Sequence, residues 1–276
     1  ILGPLWMAGC IAFAFGLLED LTKRVPVSTR LLATILSGVV GWAITGVSLH
    51  RIGLTWVDAL LVHPGLSVLI TAFAIGGIAN AINIIDGLNG LASAMKVIAL
   101  TAIACIAYSE GDANLAFASL SIAAAVLGFF FVNWPKGKLF LGDGGSYFGG
   151  FALAWSCVLL VERNKAVAPF ACLLVCIYPF IEVLFSIYRR KLKQLSPGQP
   201  DRQHLHSLLY RRYVVTLAPS VKENSVAGIL VAMMNVPPAI AAYLFKNSNL
   251  CAGIACVCFC LTYVLIYRRI VKFSWN

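Results

Sequence analysis

The sequence has few charged residues for its length. Only 12% of its 276 residues are Asp, Glu, Lys or Arg, whereas 60% are hydrophobic. Soluble domains carry roughly 25% charged residues, about twice this fraction. The composition therefore excludes an ordinary soluble protein and predicts that membrane lipid surrounds most of the chain.

Polar interruptions are scarce as well, and the apolar runs between them are long. A helix needs about 20 apolar residues to cross a bilayer, and hydrocarbon admits only helices or closed barrels. Because the runs are uninterrupted, we predict an all-α, polytopic transmembrane helical bundle. The nine predicted spans are 1–18, 31–49, 66–85, 91–108, 115–133, 145–161, 168–187, 226–245 and 250–267.

No internal repeat, low-complexity tract or soluble domain interrupts this pattern, so we expect one membrane domain over 1–276. Its longest loop is the basic segment 188–225. The first residue, Ile1, lies in an apolar run with no initiator Met or charged region ahead of it. That start is typical of a fragment of a longer protein and not of a signal peptide.

The formal net charge of +10 is consistent with nucleic-acid binding or with membrane topology. If the loops alternate between the two sides, 17 of the 21 basic residues fall on one side. The other side receives Arg51, Arg163, Lys165 and Lys246. Cytoplasmic loops are enriched in Lys and Arg. The split therefore favours topology over nucleic acid and predicts that the basic side faces the cytoplasm.

The first polar cluster is Glu19-Asp20-Leu-Thr-Lys23, at the cytoplasmic end of the first predicted span. Carboxylates suit Mg²⁺ or proton abstraction, and the Lys suits a phosphate. A charged collar that anchors the helix at the interface is an equally simple interpretation of the cluster alone.

The second cluster, Asn80-Ala-Ile-Asn83-Ile-Ile-Asp86-Gly-Leu-Asn89-Gly, occupies a tight turn between two spans. Asn80, Asn83 and Asp86 recur every three residues and share one side of a helix. The glycines permit close approach of a ligand, and Asn89 is a candidate cap for the next helix. In the alternative interpretation, these amides only bridge helices and the glycines only turn the chain.

The third cluster is the glycine-rich loop Gly142-Asp143-Gly-Gly-Ser146, which leads into the sixth span. Backbone N–H groups in such a loop can hold phosphate oxygens, and Asp143 can hold the cation that neutralises them. A helix start that Asp143 or Ser146 merely caps would have the same sequence.

The fourth cluster, Asp201-Arg202-Gln-His204-Leu-His206, lies in the long basic loop. No Cys or further His stands close to the His-x-His pair, so zinc fits poorly. Phosphate contact or general acid–base chemistry fits better. A solvated basic loop that attracts anionic lipid is the alternative.

In this order, the four clusters resemble the motifs of the polyprenyl-phosphate N-acetylhexosamine-1-phosphate transferases, which start glycan assembly on lipid carriers. That family has an Asp-Asp-x-x-Lys motif, an Asn-x-x-Asp-Gly-x-Asp-Gly motif, a Gly-Asp-x-Gly-Ser loop and a His-rich cytoplasmic loop. The sequence Pro-Asp-Arg-Gln-His-Leu-His at 200–206 resembles the motif of the O-antigen and related polysaccharide branch more than that of the peptidoglycan-precursor branch.

The chain departs from the family pattern at two positions. Glu19 stands where the first Asp is usual, and Asn89 stands where many members have their second Asp. Family members have ten or eleven spans, with helices ahead of the first motif. The resemblance therefore implies a truncated start that lacks about two spans.

The resemblance implies that a UDP-N-acetylhexosamine and Mg²⁺ or Mn²⁺ reach a cytoplasmic site in a bacterial inner membrane. Polyprenyl phosphate would enter from the lipid, and the products would be polyprenyl-diphospho-sugar and UMP. The sequence leaves the oligomeric state open, although the resemblance is compatible with a homodimer. The implied catalytic residues are Asp20, Asp86, His204 and His206; the substrate-binding residues are Lys23, Asn83, Asn89 and Arg202; the metal ligands are Asp143 and Glu19.

Two rival functions remain at this stage. A transporter of an anionic solute also uses polar helix ends and basic loops, although it predicts polar groups near the middle of the membrane. Glu182 is the only carboxylate well inside a predicted span, which favours a one-sided enzyme. An inactive homologue or an assembly subunit is the other rival. The sugar is not readable, because pocket shape selects it.

Overall fold

The computed structural model describes residues 1–195, 201–215 and 223–272. Within these ranges the chain is helical and contains no strand, as the apolar runs predict. The helices are α1 (Leu2–Thr22), α2 (Val27–Thr45), α3 (Thr55–Leu60), α4 (Pro64–Ile85), α5 (Leu91–Ser109), α6 (Ala113–Asn133), α7 (Gly142–Arg163), α8 (Pro169–Val175), α9 (Ile177–Leu192), α10 (Leu205–Leu209), α11 (Glu223–Met233), α12 (Val236–Leu244) and α13 (Asn249–Lys272).

Eight spans in the described ranges are long and apolar enough to cross a membrane, and the bent pair α8–α9 brings the number to nine. The predicted polytopic helical bundle is confirmed. Helices α8 and α9 meet at 80°. Pro179 lies in the first turn of α9 and has no N–H to donate to the carbonyl of Val175, so the helix cannot continue straight.

Several predicted boundaries were wrong. The second span ends at Thr45 and not at residue 49, because Gly46 adopts a left-handed φ of 70° that closes the helix. The span expected at 226–245 consists of α11 and α12, separated by a short turn ahead of Pro237. Helix α3 was not expected at all.

The segment predicted as a loop from residue 188 is partly helical. Helix α9 continues to Leu192 on a basic last turn, where Lys and Arg side chains favour a helix C-terminus. Helix α10 and a π-helical turn at Tyr210–Val214 follow. Residues 196–200 and 216–222 of this segment lie outside the described residues.

Helix α7 is the most buried of the candidate spans and packs against α1, α4 and α5. Its neighbours approach through small residues. A Cβ built on Gly16 of α1 would lie 2.6 Å from the backbone of Asp143, and one on Gly150 would lie 2.7 Å from Cα of Ala79 in α4. Only glycine permits these approaches, which bring the ends of α1, α4 and α7 together.

Candidate active site

The carboxylate of Asp20 caps the start of α7. Its two oxygens accept the backbone N–H groups of Asp143 and Gly144, at 2.9 and 3.0 Å. These N–H groups have no partner within their own helix, and the positive end of the helix dipole also favours an anion. Gly142 turns the chain here with φ of 67°, and a Cβ on it would lie 2.5 Å from Oδ2 of Asp20.

The side chain of Asp143 is held by two helices. Nδ2 of Asn83 donates to Oδ1 of Asp143 at 2.9 Å and to the hydroxyl of Ser146 at 2.8 Å. Arg30, at the start of α2, forms an ion pair with Oδ2 of Asp143. The structure therefore joins the second and third sequence clusters through Asn83, and adds Arg30 to them.

A cavity of about 320 Å³ opens beside these groups. Its polar lining consists of the side chains Asn83, Asp86, Asn89, Asn133, Asp143 and Asn224. Within the part of the chain that the structure describes, no hydrogen-bond donor contacts the carboxylate of Asp86. The pKa of Asp86 is raised to about 7, chiefly by burial. The negative charges of Asp143 and Asp20 also raise it, whereas the positive charge of Lys96 lowers it. Asp86 is thus a partly buried carboxylate that is available to a ligand.

Asn89 lies at the rim of this cavity, but it does not cap α5 as expected. Gly90 occupies the N-cap position of α5 with a φ of 82°, and no side chain forms a capping hydrogen bond there. The backbone N–H of Asn89 donates to Oδ1 of Asn224 at 2.7 Å, and its Nδ2 lies 3.4 Å from the hydroxyl of Ser225. Asn89 therefore ties the second cluster to α11.

The two histidines of the fourth cluster are buried and have different environments. Nδ1 of His204 lies 3.0 Å from Oε1 of Glu182, which also accepts the backbone N–H of Leu205 at 3.0 Å. The two imidazole rings stack, with centroids 5.4 Å apart. Glu182 and His204 thereby fasten α10 to α9.

His206 reaches the second cluster. Its Nδ1 lies 3.3 Å from the hydroxyl of Tyr178. A Cβ built on Gly87 would lie 3.2 Å from its Nε2, so this nitrogen faces the residue next to Asp86. Burial lowers the pKa of His206 to about 4, so the ring is neutral at pH 7.

Six predicted site residues do not line the cavity: Asp20, His204 and His206, described above, and Glu19, Lys23 and Arg202. The carboxylate of Glu19 accepts the backbone N–H of Val25 at 2.8 Å and so closes the α1–α2 turn. Lys23 lies 3.7 Å from Oδ1 of Asp20, but its side chain is 71% exposed. Arg202 is exposed, and its carbonyl accepts from the Arg211 guanidinium. Their predicted roles in metal and substrate binding stay predictions.

Sequence reasoning did not assign Arg30, Ser146, Glu182 or Asn133 to the site. Arg30 entered only the topology count, although a basic residue seven positions after Lys23 at the start of a span is a usable signal. Ser146 was considered only as a cap. Asn133 ends α6, and its Oδ1 accepts the N–H of Gly90 at 2.6 Å, a contact that no local pattern reveals.

In the described ranges, no group of three or more His, Cys, Asp or Glu side chains is close enough to hold a metal ion. Two carboxylates, Asp86 and Asp143, line the same cavity together with Asn side chains. Mg²⁺ commonly binds one or two carboxylates and takes its other ligands from water and substrate phosphates. The donor set fits such a shared site and not an all-protein cage.

Comparisons with known proteins identify relatives of this chain. Undecaprenyl-phosphate alpha-N-acetylglucosaminyl 1-phosphate transferase of Escherichia coli O157:H7 is 28% identical over 89% of this chain and 70% of its own length. The Yersinia pestis protein of that name is 28% identical over 83% of this chain and 63% of its own. The probable undecaprenyl-phosphate N-acetylglucosaminyl 1-phosphate transferase of Bacillus subtilis (strain 168) is 39% identical over 51% of this chain and 39% of its own.

The chain thus spans less than two thirds of two of these three relatives. The model of Glycosyl transferase family 4 matches residues 2–161, a range that includes Asp20, Asn83, Asp86 and Asp143. These are the residues that the fold gathers at one end of the bundle, and the match covers more than half of the chain. The resemblance seen in the sequence is confirmed, and the chain belongs to Glycosyl transferase family 4.

Proposed function

We propose that the protein transfers an N-acetylhexosamine 1-phosphate from a UDP-sugar to a polyprenyl phosphate. The observation that carries this proposal is the cavity beside Asp143, which two carboxylates line and where Arg30 and Asn83 hold one of them. Such a set can bind a pyrophosphate together with a divalent cation. A transporter would need polar groups near the middle of the bundle, whereas these groups cluster at helix ends.

Asp143 and Asp86 would hold Mg²⁺ or Mn²⁺, with the amide oxygen of Asn89 at the rim. The fit rests on Asp86, whose carboxylate has no donor in the described part of the chain and whose pKa is raised by burial and by its acidic neighbours. A bound cation would offset the repulsion between the carboxylate of Asp86 and its acidic neighbours. When bound, it neutralises the pyrophosphate and polarises its phosphorus–oxygen bonds.

The residues around the cavity would position the donor. Nε of Arg30 is buried and has no hydrogen-bond partner in the described ranges, which leaves one donor available for a phosphate oxygen. His206 presents a neutral ring toward Gly87, so its Nε2 can accept or donate a hydrogen bond at pH 7. Asp20 keeps the start of α7, and hence Asp143, in place.

In the reaction, an oxygen of the polyprenyl phosphate attacks the sugar-bearing phosphorus of the UDP-sugar. The bond between that phosphorus and the bridging oxygen breaks, and UMP leaves with the bridging oxygen. The second pKa of a phosphate monoester is about 6, so the lipid phosphate attacks as a dianion and Asp86 is not required as a base. The product is a polyprenyl-diphospho-sugar.

The relatives' printed name makes UDP-N-acetylglucosamine the first sugar donor to test and undecaprenyl phosphate the first acceptor. The distribution of basic residues supports a cytoplasmic site in a bacterial plasma membrane. Initiation of an O-antigen-type polysaccharide is the pathway that the 200–206 motif favours.

The experiment uses membranes that contain the full-length protein, with undecaprenyl phosphate, Mg²⁺ and UDP-sugars labelled in the sugar. The expected result is labelled lipid and an equal amount of UMP, both abolished by EDTA and by Asp143→Asn. Release of UDP in place of UMP would indicate a different transfer. No Mg²⁺-dependent lipid product with any UDP-N-acetylhexosamine would overturn the proposal.

A further inference from the structure

A lysine lies buried in the second turn of α5, close to the candidate site. Lys96 is only 1% exposed, and among the described residues it has no hydrogen-bond or salt-bridge partner. A Cβ built on Gly149 of α7 would lie 2.6 Å from its Nζ, so the glycine leaves room for the ammonium. Asp86 is the charged group that acts on this ammonium from a distance. A buried cation in a membrane helix is costly and is usually kept for function. Lys96 therefore needs an explanation beyond packing.

Each of the two carboxylates that line the cavity beside Asp143 has a basic partner. Arg30 forms an ion pair with Oδ2 of Asp143, and its side chain is 14% exposed. Lys96 acts on Asp86 over a distance longer than a salt bridge. The other polar side chains in the lining are neutral amides. With both carboxylates ionised, the charges of Arg30 and Lys96 therefore offset those of the lining.

Charged groups next to the cavity leave this balance unchanged. Asp20 uses both of its oxygens at the start of α7, and Nζ of Lys23 lies 3.7 Å from its Oδ1. The carboxylate of Glu19 accepts the backbone N–H of Val25 and belongs to the α1–α2 turn. His206 is neutral at pH 7. The site without substrate therefore presents little net negative charge to a cation.

A divalent cation and a diphosphate meet opposite forces at such a site. Arg30 and Lys96 repel a cation that arrives alone, and inside a protein this repulsion is screened much less than in water. The same two side chains attract a diphosphate, which carries a negative charge on each phosphate. Mg²⁺ commonly takes only one or two carboxylates and completes its ligands with water and substrate phosphates. A cation already bound to the diphosphate is thus the species that fits best.

We propose that Lys96 and Arg30 keep the site from binding a divalent cation alone, so that the cation enters together with the diphosphate of the nucleotide sugar. This inference rests on the proposed transferase function and specifies the form in which its donor binds. Lys96 forms no salt bridge with either carboxylate and acts through its charge, whereas Arg30 contacts Asp143. In the free protein, the two basic side chains take the place of the cation in balancing the carboxylates.

The coupling between cation and nucleotide sugar is measured by binding, without turnover. The full-length protein in phosphatidylcholine nanodiscs, with no polyprenyl phosphate, is titrated with Mn²⁺ at about pH 7.5, and bound Mn²⁺ is read by electron paramagnetic resonance. We expect UDP-N-acetylglucosamine to lower the Kd for Mn²⁺ at least about tenfold, and Mn²⁺ to lower the Kd for the nucleotide sugar by the same factor, because linkage is reciprocal. Asp143→Asn protein corrects for Mn²⁺ that the nucleotide binds in solution.

Lys96→Met removes the buried charge and keeps an unbranched side chain of similar length. It should lower the Kd for Mn²⁺ alone at least about tenfold, whereas Lys96→Arg should stay close to the wild-type value. A lysine with a merely structural role would not make Mn²⁺ bind more tightly when it is replaced. Lys138→Met is the matched control, since Lys138 is exposed in the loop before α7 and water screens its charge. It should change the Kd by no more than about twofold.

Two outcomes would overturn the proposal and leave the transferase function standing. One is a wild-type protein that binds Mn²⁺ equally tightly with and without the nucleotide sugar, which needs no variant to be observed. The other is a folded Lys96→Met protein whose Kd for Mn²⁺ alone is unchanged or higher. If the nucleotide sugar binds neither with nor without Mn²⁺, the transferase function itself is wrong, and the inference that rests on it is wrong as well.

Discussion

The carboxylate of Asp20 is bound to the backbone of Asp143. It accepts the N–H of Asp143 at 2.9 Å and that of Gly144 at 3.0 Å, and so fastens the end of α1 to the start of α7. The family resemblance gives Asp20 a catalytic role, whereas these contacts give it a positioning one. Both oxygens of Asp20 are already used by the protein.

Replacing Asp20 distinguishes the two roles. Asp20→Asn keeps an acceptor oxygen for one N–H and should lower kcat about tenfold, with a loss of stability of about 0.5 kcal/mol. Asp20→Ala removes both contacts and should lower kcat at least about 100-fold and stability by roughly 1–2 kcal/mol. Labelled-lipid formation and thermal unfolding in detergent measure the two effects.

Asp112→Asn provides the control for Asp20. Asp112 caps α6 at the opposite end of the bundle, where Oδ1 accepts the N–H of Leu115 at 3.1 Å. Its replacement should reduce stability without reducing kcat. If Asp20→Asn and Asp20→Ala lose activity equally while their unfolding temperatures stay at the wild-type value, Asp20 is a chemical group and the positioning role is wrong.

The raised pKa of Asp86 predicts how the activity depends on pH. Because burial and neighbouring carboxylates raise its pKa to about 7, the charge that binds the cation is lost as pH falls through 7. We expect kcat/KM for the UDP-sugar to fall about tenfold per unit below that pH. Asp86→Asn should be nearly inactive at every pH, and a flat wild-type profile from pH 5 to 8 would contradict this assignment.

The raised pKa of Asp86 also predicts how the stability of the fold depends on pH when divalent cations are absent. The folded protein binds the Asp86 proton more tightly than the unfolded chain, so stability falls as pH rises from about 4 to 7. Asp86→Asn cannot ionise and should therefore unfold at a higher temperature than the wild type at pH 8. The difference should shrink toward pH 4. Unfolding temperatures in EDTA across this range provide the measurement.

Apolar runs predicted the bundle well because lipid leaves the backbone little choice. The four polar clusters were also found, since charge at helix ends stands out against so apolar a chain. The contacts between clusters could not be derived, because they depend on how the helices pack. Asn83 joins Asp143 across 60 positions and Arg30 joins it across 113, and no local spacing encodes either separation.

Helix boundaries and the roles of individual residues were harder to predict, for a different reason. The break between α8 and α9 and the end of α2 depend on one proline and one glycine inside apolar segments, which hydropathy averages away. Asn is a residue type that often caps helices, yet Asn89 is instead held by a tertiary contact with Asn224. Lys96 was counted only as a topology marker, because sequence does not reveal that its side chain is buried.

Glu182 should control whether His206 reaches the site. Its Oε1 accepts from His204 and from the backbone of Leu205, so Glu182→Ala leaves a buried N–H unpaired, at a cost of roughly 1–3 kcal/mol. Glu182→Gln retains an acceptor. We expect faster hydrogen exchange at 204–209 and a larger fall in kcat for Ala than for Gln. Glu162→Ala, at the opposite end, is the control; unchanged exchange in Glu182→Ala would show that other contacts hold the segment.

Gly142 tests whether the turn before α7 is required. An alanine there must adopt a φ of 67°, which costs roughly 1–2 kcal/mol, and its Cβ would lie 2.5 Å from Oδ2 of Asp20. Gly142→Ala should therefore displace Asp20 from the N–H of Asp143 and lower kcat at least about tenfold. Gly77→Ala in α4, where a Cβ meets nothing within 4 Å, should instead be neutral or stabilising.

Coupling between the two residues makes this prediction specific. Gly142→Ala acts partly by disturbing Asp20, so in an Asp20→Ala background that part of its cost is already absent. The double variant should lose less stability and activity than the sum of the two single changes. Strictly additive effects would mean that the strain at Gly142 is confined to its own backbone. In that case the capping contact between Asp20 and α7 would not depend on the turn that precedes it.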